Sequence, residues 1–168
     1  MSARRVAALI MAAGRGDRYG GAAPKQYQPL LGVTPLARAV DAFVAAPGVD
    51  LVCCVYAPDA EAEFRRAAAG RPIALAVPGG ATRQESVRNG LEALAAITPA
   101  PPDYVLIHDA ARPCVSGALI QSVVDALDST SAAAPALAED AADTGVEAVA
   151  VALLVAVLAA YGRVGPFE

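Results

Sequence analysis

The chain has no excess of basic residues: 13 lysines and arginines stand against 17 aspartates and glutamates, a net charge of −4. A broad basic surface for nucleic acid or an anionic membrane is therefore not expected. Long hydrophobic runs are also missing. The longest, residues 148–161, is mostly alanine and valine and too short to span a bilayer. No signal peptide is recognised, because the N-terminal apolar run is short and leads into a glycine-rich loop. The cysteines, Cys53, Cys54 and Cys114, are odd in number and match neither a disulfide framework nor a zinc spacing. Cys53 and Cys54 adjoin on an expected strand and so point to opposite faces. Reduced core cysteines in a soluble, cytoplasmic protein are the expectation. There is no tryptophan, no internal repeat and no domain linker, and 168 residues suit one domain with a sizeable core.

Two familiar nucleotide motifs are absent as well. A Walker A loop ends in Gly-Lys-Ser/Thr, whereas Lys25 is flanked by Pro24 and Gln26. In the dinucleotide fingerprint a third glycine follows the second by three residues. Here Tyr19 occupies that place after Gly14 and Gly16, and Gly20 comes one residue late. What stands instead, over residues 12–27, is a loop with four glycines and the cations Arg15, Arg18 and Lys25. It follows an apolar run, residues 6–11, that reads as a buried strand. Glycine lets a chain curl so that its amides meet a phosphate, and fixed cations offset charge that builds as phosphorus is attacked. The alternative is an ordinary strand-to-helix turn with a solvated basic rim.

Beyond the loop, helix follows strand repeatedly. Thr34 can cap a helix with Pro35 at its first position and Pro47-Gly48 closing it, and Leu36, Val40, Phe43 and Val44 on one face. Residues 51–56 read as a strand and 58–70 as a surface helix with Phe64 facing in. Residues 73–77 are a third strand, stopped by Pro78-Gly79-Gly80. A helix carrying Val87, Leu91 and Leu94 comes next, then a proline-rich connector, residues 99–102. A fourth strand, 104–107, precedes a helix capped by Ser116 and bearing Leu119, Ile120, Val123, Val124 and Leu127. The alternation predicts an α/β protein with a parallel sheet and right-handed crossovers. After residue 130 the expectations are a strand at 132–138 (with Pro135 against a central position), an acidic turn at 139–142, weak alternation over 146–151 and a final helix over 153–161.

Two further places can carry chemistry. The Gly79-Gly80 turn opens a helix at the carboxyl end of a strand, where open α/β sheets bind ligands. Nearby Ser86 either donates to a base or ribose or serves only the helix start. Asp109, at the carboxyl tip of the fourth strand, can hold Mg²⁺ against phosphates, since hard oxygen ligands suit that ion. Alternatively it is a turn residue paired with Arg112. His108, the only histidine, is expected in the core rather than as a base.

Taken together, Ala12-Ala13-Gly14-x-Gly16-x-Arg18, Pro24-Lys25-Gln26-Tyr27, Gly79-Gly80-x-x-Arg83-x-x-Ser86-Val87 and His108-Asp109-Ala110-Ala111-Arg112-Pro113 resemble the 2-C-methyl-D-erythritol 4-phosphate cytidylyltransferase family. The resemblance covers about residues 5–127. It implies a three-layer, doubly wound, mostly parallel nucleotidyltransferase fold of Rossmann-like type, a homodimer, and the use of CTP, a polyol phosphate and Mg²⁺ or another divalent cation. By the same resemblance Arg18 and Lys25 would stabilise the transition state. Ala12, Ala13, Gly14, Gly16, Gly80, Ala81 and Ser86 would surround the nucleotide, largely through backbone, with Ala110 against the ribose and Asp109 binding both nucleotide and metal.

The family's later half supplies an arm for dimerisation, basic residues for the acceptor and a second metal aspartate. Here no basic residue occurs between Arg112 and Arg163. The stretches 139–142 and 146–149 resemble the family's late region moved up against the fifth strand. One nucleotidyltransferase domain over 1–168, incomplete after about residue 138, is therefore expected. Some members are fused to a cyclodiphosphate synthase, whose start Arg163-Val164-Gly165 and Phe167 resemble. Competing readings are a cytidylyltransferase for ribitol 5-phosphate or another sugar phosphate, and a non-catalytic nucleotide-binding protein.

Overall fold

The computed structural model describes residues 4–14 and 24–127, and the backbone of 153–157. The expected strand at 132–138, the acidic turn, the alternation over 146–151, and Arg15, Gly16 and Arg18 lie outside the described residues. The strands are β1 (Val6–Ala12), β2 (Leu51–Tyr56), β3 (Leu75–Pro78), β4 (Tyr104–Asp109) and β5 (Leu153–Val157). The helices are α1 (Pro35–Val44), α2 (Glu61–Ala68), α3 (Arg83–Ala95) and α4 (Gly117–Ala126). The sheet runs in the order β3-β2-β1-β4-β5, with the first four parallel and β5 antiparallel to β4.

The layers follow from the handedness of crossovers. From β1 to β2 to β3 the chain steps sideways in one direction, and from β3 to β4 it steps back past β1. Right-handed connections made in opposite directions put their helices on opposite faces. Residues Val6, Ala8, Ile10 and Ala12 of β1 accordingly pack in a cluster with α1, α2 and α4, while Ala7, Leu9 and Met11 pack with Leu91 and Leu94 of α3. Every residue of β1 is buried. Small alanines on this strand let both helical layers close on it.

The sequence's punctuation holds at the helix starts. Thr34 Oγ1 accepts from Ala37 N at 3.2 Å ahead of Pro35, and Ser116 Oγ accepts from Leu119 N at 3.2 Å. Phe64 of α2 is buried and stacks on Tyr56, ring centroids 4.9 Å apart. The span 58–70 divides into a short 3-10 turn (Pro58–Ala60) and α2. Beyond α2, Arg71 donates to both carboxylate oxygens of Asp41 at 2.8 and 3.0 Å and so ties the end of α2 to α1.

Three expectations are corrected. Residues 153–157 form a strand, not the start of a helix: Leu-Leu-Val-Ala-Val pairs with the open side of β4, satisfying backbone groups that β4 would otherwise leave unpaired. Val44 is 42% exposed, because at about 100° per residue it sits roughly 80° round the helix from Leu36, at the edge of the apolar stripe. The third strand begins at Leu75 rather than at residue 73, and it ends in Pro78, which an edge strand tolerates.

Gly90 marks where α3 lies closest to the sheet. A Cβ there would stand 2.7 Å from Leu9 Cδ2 and 2.9 Å from Val55 Cγ2, both on buried side chains. Gly90→Ala should therefore destabilise the fold. Overpacking costs about 1–3 kcal/mol, against about 1 kcal/mol of helix propensity regained. A urea midpoint at or above that of the wild type would mean that the core yields there.

Candidate active site

The direction of crossing reverses between β1 and β4, and open α/β sheets bind their ligands in the crevice outside the carboxyl ends at such a point. The register brings the candidate residues to that edge, with Ala12 opposite Tyr56, Tyr56 opposite Pro78, and Met11 opposite Asp109. Three loops leave the sheet there: the one after β1 beginning Ala13-Gly14, the Gly79-Gly80 turn after β3, and the Ala110–Pro113 segment after β4.

The first two loops touch. A Cβ on Gly79 would stand 2.6 Å from Ala13 Cβ and 2.7 Å from Ser86 Oγ, and one on Gly80 would collide with Glu85 Cβ. Glycine is required at both positions for closeness of approach. The α3 start is built by Thr82 and Glu85, which form a reciprocal capping box. Ser86 is therefore not the cap. It is 3% exposed, its Oγ accepts from Gly80 N at 3.0 Å, and it donates to Thr82 O at 2.9 Å. Glu85 Oε2 takes the amides of Ala81 at 2.7 Å and Thr82 at 3.3 Å. With three successive amides engaged, what the turn has left to offer a ligand is carbonyl oxygen.

At the end of β1, Ala12 O accepts from Gln26 Nε2 at 2.9 Å and from Tyr27 Oη at 2.8 Å, and Gly14 O accepts from Gln26 Nε2 at 2.7 Å. Gln26 and Tyr27 are both buried, and burial pushes the Tyr27 phenol up to about 12, so it remains a donor. Lys25, exposed at the start of this 3-10 turn, lines a groove of about 270 Å³ with Gln28, Pro29, Leu30, Pro35, Ala111 and Pro113. The candidate cation and the His-Asp-Ala-Ala-Arg-Pro segment thus share one groove.

Asp109 accepts from Arg83 Nη1 at 2.6 Å and lies 3.3 Å from Arg112 Nε, with 21% of its side chain exposed. The pairing with Arg112 holds, and Arg83 joins it from α3. Among the described residues no group of three or more His, Cys, Asp or Glu could hold a metal. A single carboxylate at a strand tip fits Mg²⁺ of the kind that takes one protein carboxylate and completes its shell with water and substrate phosphates. Such an ion would share Asp109 with two guanidiniums.

Ala110 is buried in the core cluster and its amide bonds Met11 O at 3.0 Å, so its methyl does not face a ribose. Ala12 is spent in the same way, through its carbonyl. Gly14 has open space on its Cα, and Ala13 is half-buried against Gly79. Cys53 and Cys54 are buried, as expected of core thiols, and burial pushes the Cys53 thiol up to about 12. The sequence reading passed over Gln26, Tyr27 and the Thr82–Glu85 box. The box was visible as Thr-x-x-Glu before an apolar run; Gln26 and Tyr27 carried no signal beyond their place in a matching motif.

His108 is fully buried, 5.2 Å centroid to centroid from the Phe43 ring. Its Nε2 lies 3.0 Å from Arg112 O, which can only accept, so Nε2 carries the proton. Nδ1 has no partner. This is a packing residue that braces the loop after β4.

An open, mostly parallel sheet with glycine turns and an acidic strand tip gathered at its switch point defines a ligand-binding protein of the doubly wound α/β class. Within that class, the chain belongs to the 2-C-methyl-D-erythritol 4-phosphate cytidylyltransferase family, which it matches over residues 6–156. It is 52% identical over 137 residues to the bifunctional enzyme IspD/IspF of Nitrobacter winogradskyi, an alignment that covers 82% of this chain and 34% of that one. The chain thus spans about a third of that relative's length. Among solved structures it resembles the 2-C-methyl-D-erythritol 4-phosphate cytidylyltransferase of Thermus thermophilus, with TM-score 0.60, 34% identity, and 79% of this chain and 54% of that one covered. A 4-diphosphocytidyl-2C-methyl-D-erythritol synthase from Anaerococcus prevotii shares the fold at TM-score 0.68 and 19% identity, covering 99% and 80%. No helix among the described residues is long and apolar enough to cross a membrane.

Burial lowers the pKa of His108 below its ordinary 6.5. The unfolded chain binds that proton more readily, so the stability contribution is present above about pH 6.5 and is lost as pH falls below it, at up to about 1.4 kcal/mol per unit. Urea midpoints should drop from pH 7 toward pH 5.5, and His108→Gln, which keeps an N–H for Arg112 O, should flatten the drop. Equal slopes in the two proteins would assign the effect to other groups.

Proposed function

We propose that the chain transfers CMP from CTP to 2-C-methyl-D-erythritol 4-phosphate, giving the CDP-alcohol and pyrophosphate. The observation that carries the reading is the gathering of the Gly14 loop, the Gly79-Gly80 turn and Asp109 at one edge of the sheet, beside Lys25. Membership of the family supports it. An acceptor phosphate oxygen attacks the α-phosphorus of CTP. The bond from that phosphorus to the bridging oxygen breaks, and pyrophosphate leaves with the electron pair. The nucleophile is already an anion, so no general base is required, and positioning and cations can do the catalysis.

In this reading Lys25 and Arg18 offset charge on the pentacoordinate phosphorus, and Asp109 is the carboxylate that would hold Mg²⁺. When bound, that ion would neutralise phosphate charge. The proposal includes one nucleotidyltransferase domain over 1–168, incomplete after about residue 138, a homodimer and a cytoplasmic location.

The engaged amides of residues 80–82 bear on base choice. A turn that offers carbonyl oxygen accepts from an amine and repels another carbonyl. The exocyclic amine of cytosine suits it, and the oxygen at the same place on uracil does not. CTP should be strongly preferred over UTP, with ATP and GTP inactive on size. Pyrophosphate release with each nucleotide at equal concentration, and methylerythritol phosphate as acceptor, tests this. Comparable rates with ATP or GTP would sink the cytidylyl reading.

Lys25→Ala should lower kcat by about 10²–10³, the usual effect of removing one donor that acts on transition-state charge, with a much smaller change in CTP affinity. Steady-state kinetics check this. A raised KM at near-normal kcat would make Lys25 a ground-state binding residue.

A further inference from the structure

We propose that Gln26 is the positioning residue that sets the nucleotide loop against Lys25. Its carboxamide is buried at 3% exposure and donates to two carbonyls, Ala12 O at 2.9 Å and Gly14 O at 2.7 Å. An amide –NH₂ has two hydrogens, and here each goes to a carbonyl two residues apart on the chain leaving β1. Peptide groups are planar and trans, so drawing the Ala12 carbonyl inward turns the Ala13 N–H to the opposite side, away from the buried glutamine. The next residue adds a third bond, Tyr27 Oη to Ala12 O at 2.8 Å.

The same contacts fix the backbone that carries the cation. Lys25 begins a single tight turn closed by Tyr27 N to Pro24 O at 2.9 Å and Gln28 N to Lys25 O at 3.3 Å. The two side chains that follow Lys25 are both bonded to the end of β1, so the Lys25 backbone is held relative to the loop's first residues. Gln26 therefore does two things with one group. It directs the root of the loop, and it sets the separation between that root and the backbone of the lysine meant for the same phosphates. A displacement of an ångström at either partner would spoil both.

The inference rests on the reading of this loop as a triphosphate site, and the experiment separates the two. The 168-residue chain is titrated calorimetrically with inorganic triphosphate and with CTP, as wild type, Gln26→Met, Gln26→Glu and Arg71→Ala. Arg71 bonds Asp41 and the carbonyls of Ala37 and Ala67, none of them in the loops, so its loss should lower the melting temperature without reaching the site. All titrations are run well below the lowest melting temperature.

Gln26→Met should weaken binding of both ligands by about tenfold or more, because the Gly14 carbonyl loses its side-chain donor and the Ala12 carbonyl keeps only Tyr27 Oη. Arg71→Ala should bind both within about twofold of wild type. Gln26→Glu should regain affinity relative to wild type as pH falls from about 8 to about 6, because a protonated carboxyl recovers one donor. A purely structural glutamine predicts that affinity follows melting temperature alike in all variants; that result, or wild-type triphosphate affinity in Gln26→Met, overturns the proposal. Wild type binding triphosphate but not CTP would overturn the cytidylyl reading while leaving the Gln26 comparison decisive. Wild type binding neither overturns both.

Discussion

Strand β1 is buried on both faces along its whole length, and the rest of the molecule is arranged to make that possible. A strand in that position needs neighbours on both sides for its amides and carbonyls, and helices above and below for its side chains. β2 and β4 supply the first, through parallel pairing on either side. The second requires helices on opposite faces, which right-handed crossovers supply only if the chain reverses its lateral direction after β3. That reversal opens the crevice at the carboxyl end of β1. The site is therefore a consequence of how the central strand is covered.

Around the crevice, small residues allow loops to approach to distances that side chains would forbid. Ala13 meets Gly79, and Gly80 lies against Glu85. Closeness then demands that polar backbone be satisfied locally. Ser86 and Glu85 take the amides of the second loop, and Gln26 and Tyr27 take the carbonyls of the first. The two loops end with complementary surpluses: the turn after β3 has its amides engaged and keeps the carbonyls between Pro78 and Thr82, and the loop after β1 has its root carbonyls engaged. A ligand with an amine at one end and phosphates at the other matches that division.

Charge is handled in the same economical way. Asp109 is flanked by Arg83 from α3 and Arg112 from its own loop, so one carboxylate gathers two elements at the strand tip. His108 next to it is neutral and buried, bonded to the Arg112 carbonyl, and so braces that loop from beneath. Adjacent residues on β4 face opposite ways, which is why one packs in the core and the other reaches the edge.

Much of this was legible in the residues alone. Alternating apolar runs and helix punctuation placed β1, β2, β4, α1 and α4 to within a residue or two. Thr34 and Ser116 act on amides three positions away and Pro35 fits the first helical position, so local order suffices to read them. The motifs also lie on the three loops that leave the sheet at one edge. Tertiary structure decided the rest. Whether residues 153–157 become helix or strand depended on the free side of β4, more than forty positions earlier. Ser86 bonds Gly80 rather than facing outward because the Gly-Gly turn folds back over it. Gln26 found its carbonyls 12 and 14 residues back, across a loop whose closure no local pattern encodes. Local sequence determines bonds between near neighbours along the chain. The bonds that shape this site join segments brought together only when the sheet was assembled.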